Sequence, residues 1–400
     1  MRDVPEPIAP DPAVLITPEL EPVAAAFFAA QALDPGGAQL CIYRHGVPVL
    51  DVWAGRDAAN GRPFGPETLS VVMSCTKGAV AVLAHRLAER GALALDAPVA
   101  EYWPEFGAGG VTVAQLLGHS AGYAGFEPES GIGGDEVLDW ARCVAALEHM
   151  EPLWPPGEAY LYHFITWGFL VGEVIARVTG RPVQQVFADE IARPLGLDFW
   201  IGLPAAEEPR VAPHFRSAPR LTAEGLEAGL RAAGIDTASR LVRTVIHAIA
   251  STEALIERMN HRDGRAAVIP AGNGVANARA LARLYAACIA DVDGVRLLRP
   301  ETVAHACVPQ TDALDGPPPF TIRTAAPQRF GLGFELPRPT LPMLGPGSFG
   351  HPGAGGRLAF AHPESGYAVG YACTNLVWDG QNPDPRWGWM TALNELVANG

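Results

Sequence analysis

The stretch Leu69-Ser70-Val71-Val72-Met73-Ser74-Cys75-Thr76-Lys77-Gly78-Ala79-Val80-Ala81-Val82-Leu83-Ala84-His85-Arg86-Leu87 changes character halfway along, and the change decides the fold. Its first part is an apolar run of Leu69, Val71, Val72 and Met73. From Ala79 onward the apolar residues Val80, Leu83, Ala84 and Leu87 recur at spacings of three and four, the pattern of a helix with one buried face. Gly91 ends that helix. Ser74 therefore stands where a loop enters a helix, at the positive end of the helix dipole. Lys77 follows one turn later, on the same face. A hydroxyl becomes a nucleophile when a nearby base takes its proton, and a neutral lysine one turn away is such a base. The bare pattern Ser-x-x-Lys also fits an N-capping serine beside a solvated lysine; its position next to a deeply apolar segment favours the chemical reading.

Outward from this helix, the two chain ends read as strands. Gln39–Tyr43 and Pro48–Ala54 flank Arg44-His45-Gly46, a hairpin with glycine where the turn needs it. Arg357–Ala361 and Tyr367–Thr374 flank Pro363-Glu364-Ser365-Gly366, and Phe330–Leu336 reads as a further strand before them. Thr17-Pro18 opens a helix that runs into apolar residues as far as Leu33, and a last helix spans Pro385–Val397. Between the ends, helical periodicity dominates. The pattern predicts a helix over Tyr162–Thr179, with Phe164, Trp167, Val171, Val174 and Val178 on one stripe and Gly180 as its C-cap. Others fall at Val183–Ala192 and Ala278–Ala290. The expected architecture is α/β (α+β): an antiparallel sheet from both chain ends, flanked by helices, with a large helical insertion. Residues 1–69 and 316–400 would form the sheet domain and 70–315 the helical one, with the active site between them. Loops at 125–135 and 215–264 would wall the pocket.

Composition narrows the function. Of 400 residues 48% are hydrophobic and 18% charged, enough for a sizeable core. With 29 Lys+Arg against 43 Asp+Glu the net charge is 29 − 43 = −14, which repels a phosphate backbone, so no nucleic acid is expected as partner. The start carries acidic residues and prolines where a signal peptide needs a basic region, and its apolar run Val23–Ala30 is too short to span a bilayer. No membrane association and a cytoplasmic location are expected. The cysteines at 41, 75, 143, 288, 307 and 373 form no C-x-x-C pair, and the histidines form no H-E-x-x-H, so no metal is expected. Gly353-Ala354-Gly355-Gly356 lacks the lysine of a phosphate loop and the flanking elements of a dinucleotide fingerprint. No cofactor is implied.

Further motifs follow Ser74-Cys75-Thr76-Lys77 in order. They are Pro156-Gly157-Glu158, Tyr162-His163-Phe164, Trp167-Gly168, Gly172-Glu173 and Gly350-His351-Pro352-Gly353-Ala354-Gly355-Gly356. Together with Thr112–Gly122 and Gly272–Tyr285, they resemble the serine β-lactamase, penicillin-binding and family VIII carboxylesterase superfamily over residues 38–375. The resemblance implies a β-lactamase-like fold and a serine hydrolase. Ser74 would be the nucleophile, Lys77 and Tyr162 would move the proton, and the N–H groups of Ser74 and Ala354 would form the oxyanion hole. His163, Phe164, His351 and Gly353 would lie along the substrate. Two positions depart from the β-lactamase pattern: Phe164 replaces the asparagine of Y-x-N, and His351 replaces the lysine of K-T-G. Both resemble the esterase branch, which implies a carboxylesterase acting on small esters. The alternatives are an amide hydrolase of the β-lactamase, D-aminopeptidase or transpeptidase kind, or a non-catalytic binding or filament-forming relative. Pro352, without an N–H, suggests an edge strand. Gly118-His119-Ser120-Ala121-Gly122 matches the G-x-S-x-G nucleophile elbow, but Val113–Leu117 before it reads as a helix end rather than the strand an elbow requires.

Overall fold

The computed structural model describes residues 14–217, 219, 222–321, 327–378 and 382–399. Strands β2 (Gly37–Arg44) and β3 (Val47–Gly55) form a hairpin closed by His45 and Gly46, both at positive φ, as a two-residue turn demands. β1 (Leu15–Ile16) lies outside β3. At the other chain end are β7 (Phe349–Gly353), β8 (Arg357–His362) and β9 (Tyr367–Cys373). The two ends meet in mid-sheet: Leu40 on β2 pairs with Val52 on β3 and with Tyr371 on β9, giving the antiparallel order β1-β3-β2-β9-β8-β7.

Both faces of this sheet are covered, so its strands are apolar on alternate and intervening positions alike. Leu40, Ile42, Val52, Leu358, Phe360 and Val369 pack against the terminal helices Glu21–Gln31 and Gly388–Asn399 through Val23, Phe27, Trp389 and Leu393. The other face, with Cys41, Ala359, Ala361, Ala368 and Ala372, meets the helix Ala278–Ile289 and, toward β7, the helix Cys75–Glu89. Gly370 on β9 permits this approach, because a Cβ there would lie 2.3 Å from the Ala278 carbonyl. Each large side chain buried this way contributes about 1.5–3 kcal/mol, so the two apolar layers, more than the hairpin turns, hold the sheet. A second sheet orders β4 (Ser70–Val71), β6 (Val275–Ala276) and β5 (Phe199–Trp200) as β4-β6-β5, and it anchors the chain just before Ser74.

Several expectations need correction. Phe330–Leu336 is not a strand. Its apolar residues alternate, but Gly333 at φ 88° folds the backbone back, leaving isolated pairings of Glu335 with Phe330 and Gly350. The third strand is β7, and it is the sheet edge, as Pro352 suggested. The central helix spans Thr166–Thr179, so Tyr162, His163 and Phe164 precede it and Phe164 is not on its stripe; Gly180 caps it at φ 66°. The segment 215–264 is largely helical, with Ala223–Ala232 and Arg240–Arg258. The N-terminal helix begins as a 3-10 turn, Pro18–Leu20, and the Thr17 side chain makes no capping bond. The final helix starts at Gly388 instead of Pro385. Residues 1–13, part of the stretch read for a leader, lie outside the described residues. No helix among the described residues is long and apolar enough to cross a membrane.

Candidate active site

Ser74 is the N-cap of the helix Cys75–Glu89, yet its side chain makes no capping hydrogen bond and is left for other partners. The backbone is bent sharply to present it. Met73 sits at φ 51°, a left-handed conformation that costs a non-glycine residue about 1–3 kcal/mol. Thr76 holds the bend by donating its hydroxyl to the Met73 carbonyl at 2.6 Å while accepting from the Gly274 N–H at 2.9 Å.

Lys77 is not solvated. It is 1% exposed, its Nζ lies 3.4 Å from Ser74 Oγ, and it donates to the Ala271 carbonyl at 2.9 Å. No carboxylate pairs with it among the described residues, and burial pushes its pKa well below 10.5. The Tyr162 ring, 4.8 Å from Nζ, opposes this by favouring the ammonium. Such a contact is worth about 0.5–2 kcal/mol, less than full desolvation of an ammonium, so burial sets the direction of the shift, toward the neutral amine. Once neutral, the amine can turn its lone pair to the Ser74 hydroxyl 3.4 Å away while still donating to the Ala271 carbonyl.

Tyr162 donates its hydroxyl to Ser74 Oγ at 3.0 Å. Burial pushes its pKa up, so it rests as a phenol and is a proton donor. The segment carrying it is gripped by residues 119–124. The His163 N–H donates to His119 Nδ1 at 3.1 Å, the Leu161 N–H to the His119 carbonyl at 3.3 Å, and the Phe164 N–H to the Ala124 carbonyl at 3.3 Å. Rings complete the support: Phe330 stacks on Tyr162 at 5.8 Å, and His119 lies 4.8 Å away. The G-x-S-x-G match thus belongs to the bracket under Tyr162. A helix, Val113–Leu117, precedes it, and His119 turns the chain at φ 62°.

His163 has no ring nitrogen left free for a substrate. It is fully buried, its Nε2 accepts from the Tyr123 N–H at 3.0 Å, and its Nδ1 therefore carries the proton donated to the Leu161 carbonyl at 2.7 Å. With both nitrogens committed and its pKa pushed down to about 4 by burial, it is a neutral strut. Phe164 meets Tyr162 edge-on at 5.3 Å and lines a small apolar recess with Phe126, Ile165 and Ala248. His351 lies on β7 with its ring 6.1 Å from Tyr162. Its Nδ1 faces the Pro352 carbonyl at 2.8 Å, while Nε2 is buried without a partner among the described residues. Burial, with Lys77 nearby, lowers its pKa to about 3, so it offers no cation. Gly353 closes the arrangement: a Cβ there would lie 2.4 Å from the Val72 carbonyl, so only glycine lets β7 pass this close to the Ser74 turn. Among the described residues no three His, Cys, Asp or Glu side chains are placed to hold a metal ion.

Sequence reasoning missed Thr76, the Ala271 carbonyl, and His119 as a support. His119 and Thr76 left a signal, since they lie in the quoted Thr112–Gly122 and Ser74-Cys75-Thr76-Lys77 elements. A serine at a strained helix entry, touched by a buried amine and a phenol at the edge of an antiparallel sheet, defines a serine hydrolase of the β-lactamase fold. The Beta-lactamase family profile matches residues 27–388, and the chain belongs to that family. It is similar to the Esterase/beta-lactamase LipL of Mycobacterium tuberculosis, 34% identical over 362 residues that cover 86% of this chain and 78% of that protein. Among solved structures, EstA from Arthrobacter nitroguajacolicus Rue61a superposes with TM-score 0.79 at 32% identity, covering 96% of this chain and 98% of that one. A family VIII carboxylesterase superposes with TM-score 0.77 at 31% identity over the same shares.

Proposed function

We propose that the protein is a carboxylesterase that cleaves small, uncharged esters through an acyl-enzyme on Ser74. The observation that carries this is the contact of one serine hydroxyl with both a carboxylate-free buried lysine and a phenol, at 3.4 and 3.0 Å. Ser74 Oγ attacks the ester carbonyl and its proton passes to the neutral Lys77 amine. Tyr162 donates its hydroxyl proton to the departing alcohol oxygen and is reprotonated from the Lys77 ammonium. Water then attacks the acyl carbon, delivering the acid and restoring the serine. Negative charge on the carbonyl oxygen would be met by the N–H groups of Ser74 and Ala354, neither of which donates to another group among the described residues. The reading places the enzyme in the cytoplasm, supported by six free cysteines, with a small-molecule ester as its partner.

The preference for esters over β-lactams rests on Phe164 and His351. A β-lactam enzyme holds an amide and a carboxylate of its substrate, and sites that pair such groups discriminate strongly. Here an apolar ring and a neutral imidazole stand in their place. For a short-chain nitrophenyl ester, kcat/KM is expected to exceed that for a chromogenic cephalosporin by at least about 10²-fold, roughly 2.7 kcal/mol of transition-state binding. Equal or better cephalosporin turnover would reverse this preference in favour of the amide-hydrolase reading.

A further inference from the structure

Arg357 begins β8 opposite Gly353, and it is fully buried. No carboxylate pairs with it among the described residues, a heavily disfavoured state for a guanidinium unless its donors are used. Two of them are. Nε donates to the Val71 carbonyl at 3.1 Å and Nη1 to the Ala354 carbonyl at 3.1 Å, while Nη2 has no partner among the described residues. Val71 lies three residues before Ser74, and Ala354 is the first residue past β7. One planar fork therefore ties together the two backbone segments that approach each other at Gly353.

The turn beyond Ala354 is pinned as well. Arg386 donates to the Gly355 carbonyl, and Trp387 Nε1 donates to the Gly356 carbonyl at 3.1 Å. Three successive carbonyls thus each accept from a long side chain, and of Arg357, Arg386 and Trp387 only Arg357 also reaches across to the segment that leads into Ser74. An oxyanion site works when its donors are fixed before the charge arrives, and a fraction of an ångström of slack weakens it. Lysine could not replace this link, because its point charge lacks the rigid fork.

We propose that Arg357 is a positioning residue that sets the spacing between the Ser74 and Ala354 N–H groups, an inference that rests on the acyl-enzyme reading above. It touches neither substrate nor reacting atoms and acts through the two backbone segments it joins. The test uses Arg357→Lys and Arg357→Gln beside the unmodified protein, with rates normalised to the serine that a fluorophosphonate labels. The readout is the infrared carbonyl stretch of the acyl-enzyme formed from a ¹³C-carbonyl ester by rapid mixing. In both variants the stretch is expected to move to higher wavenumber, reporting a less polarised carbonyl, and kcat to fall about 10²-fold, the size of losing one oxyanion donor, with KM little changed. A folded variant with unmoved stretch and unchanged kcat would overturn the proposal. Failure of both variants to fold would also overturn it, assigning Arg357 to the core alone. An unmodified protein that forms no Ser74 acyl-enzyme is a separate result, one that removes the hydrolase reading and this proposal together.

Discussion

Lys77 has no carboxylate among the described residues to offset the cost of charging it, and the Tyr162 ring offsets only part of that cost. Its nearest oxygens are the Ser74 hydroxyl and the Ala271 carbonyl, and burial holds its pKa well below 10.5. An amine in that state can accept the serine proton at neutral pH; a guanidinium cannot. Lys77→Arg should therefore lose as much activity as Lys77→Ala, on the order of 10²–10⁴-fold if general-base catalysis is the main loss. The acid limb of the kcat/KM profile should follow the same group. Activity rises with pH as the ammonium loses its proton, and the limb should vanish in the arginine variant. Steady-state rates on a nitrophenyl ester across pH check both statements, and near-normal rates for Lys77→Arg would show that only positive charge was needed.

How much of the elements could be read from sequence depended on whether local pattern and tertiary contact agreed. The helix after Ser74 was legible because its buried face repeats over four turns, and the hairpins because His45-Gly46 and Gly366 supply the left-handed turn residues. Phe330–Leu336 misled because Phe330, Leu332 and Phe334 alternate in the sequence as in a strand, whereas the whole stretch is buried as a glycine-bent loop. The stripe Phe164, Trp167, Val171 ran one turn past the true helix start, since the N–H groups of Leu161, His163 and Phe164 are taken by residues 119–124 instead. Nothing local announces that grip, and so His163 was read as a substrate contact. Arg357 was equally opaque, because an arginine opening an apolar strand reads as exposed unless the Val71 segment is known to cover it. Ser74, Lys77 and Tyr162, by contrast, were legible as a set and do meet, with Ser74 Oγ 3.4 Å from Lys77 Nζ and 3.0 Å from the Tyr162 hydroxyl.

Considered as a whole, the molecule closes its active site by bringing both chain ends into one sheet and laying the helical segment against one face of it. Neutral histidines are buried in that structure: burial holds His85 and His163 at about 4, and His214 and His351 at about 3, against an ordinary 6.5. Below pH 6.5 the unfolded chain takes up these protons and the folded chain does not. The unfolded state then binds more protons, so stability falls as pH drops, each histidine contributing about 1.4 kcal/mol per pH unit until its folded pKa is reached. Asp51 and Glu335, raised by burial, act in the opposite sense. His119 is lowered by burial as well, so with five histidines against two carboxyl groups the melting temperature should decline from about pH 6.5 toward pH 4, measured by circular dichroism at constant ionic strength; a flat profile over that range would contradict the burial of these imidazoles.

In the proposed mechanism Ser74 is the nucleophile, and Ser120 is part of the frame beneath Tyr162. Covalent trapping with a fluorophosphonate, followed by proteolysis and mass mapping of the adduct, tests it most directly. One adduct is expected, on Ser74, lost in Ser74→Ala and retained in Ser120→Ala. An adduct on Ser120, or none on a folded protein, would contradict it.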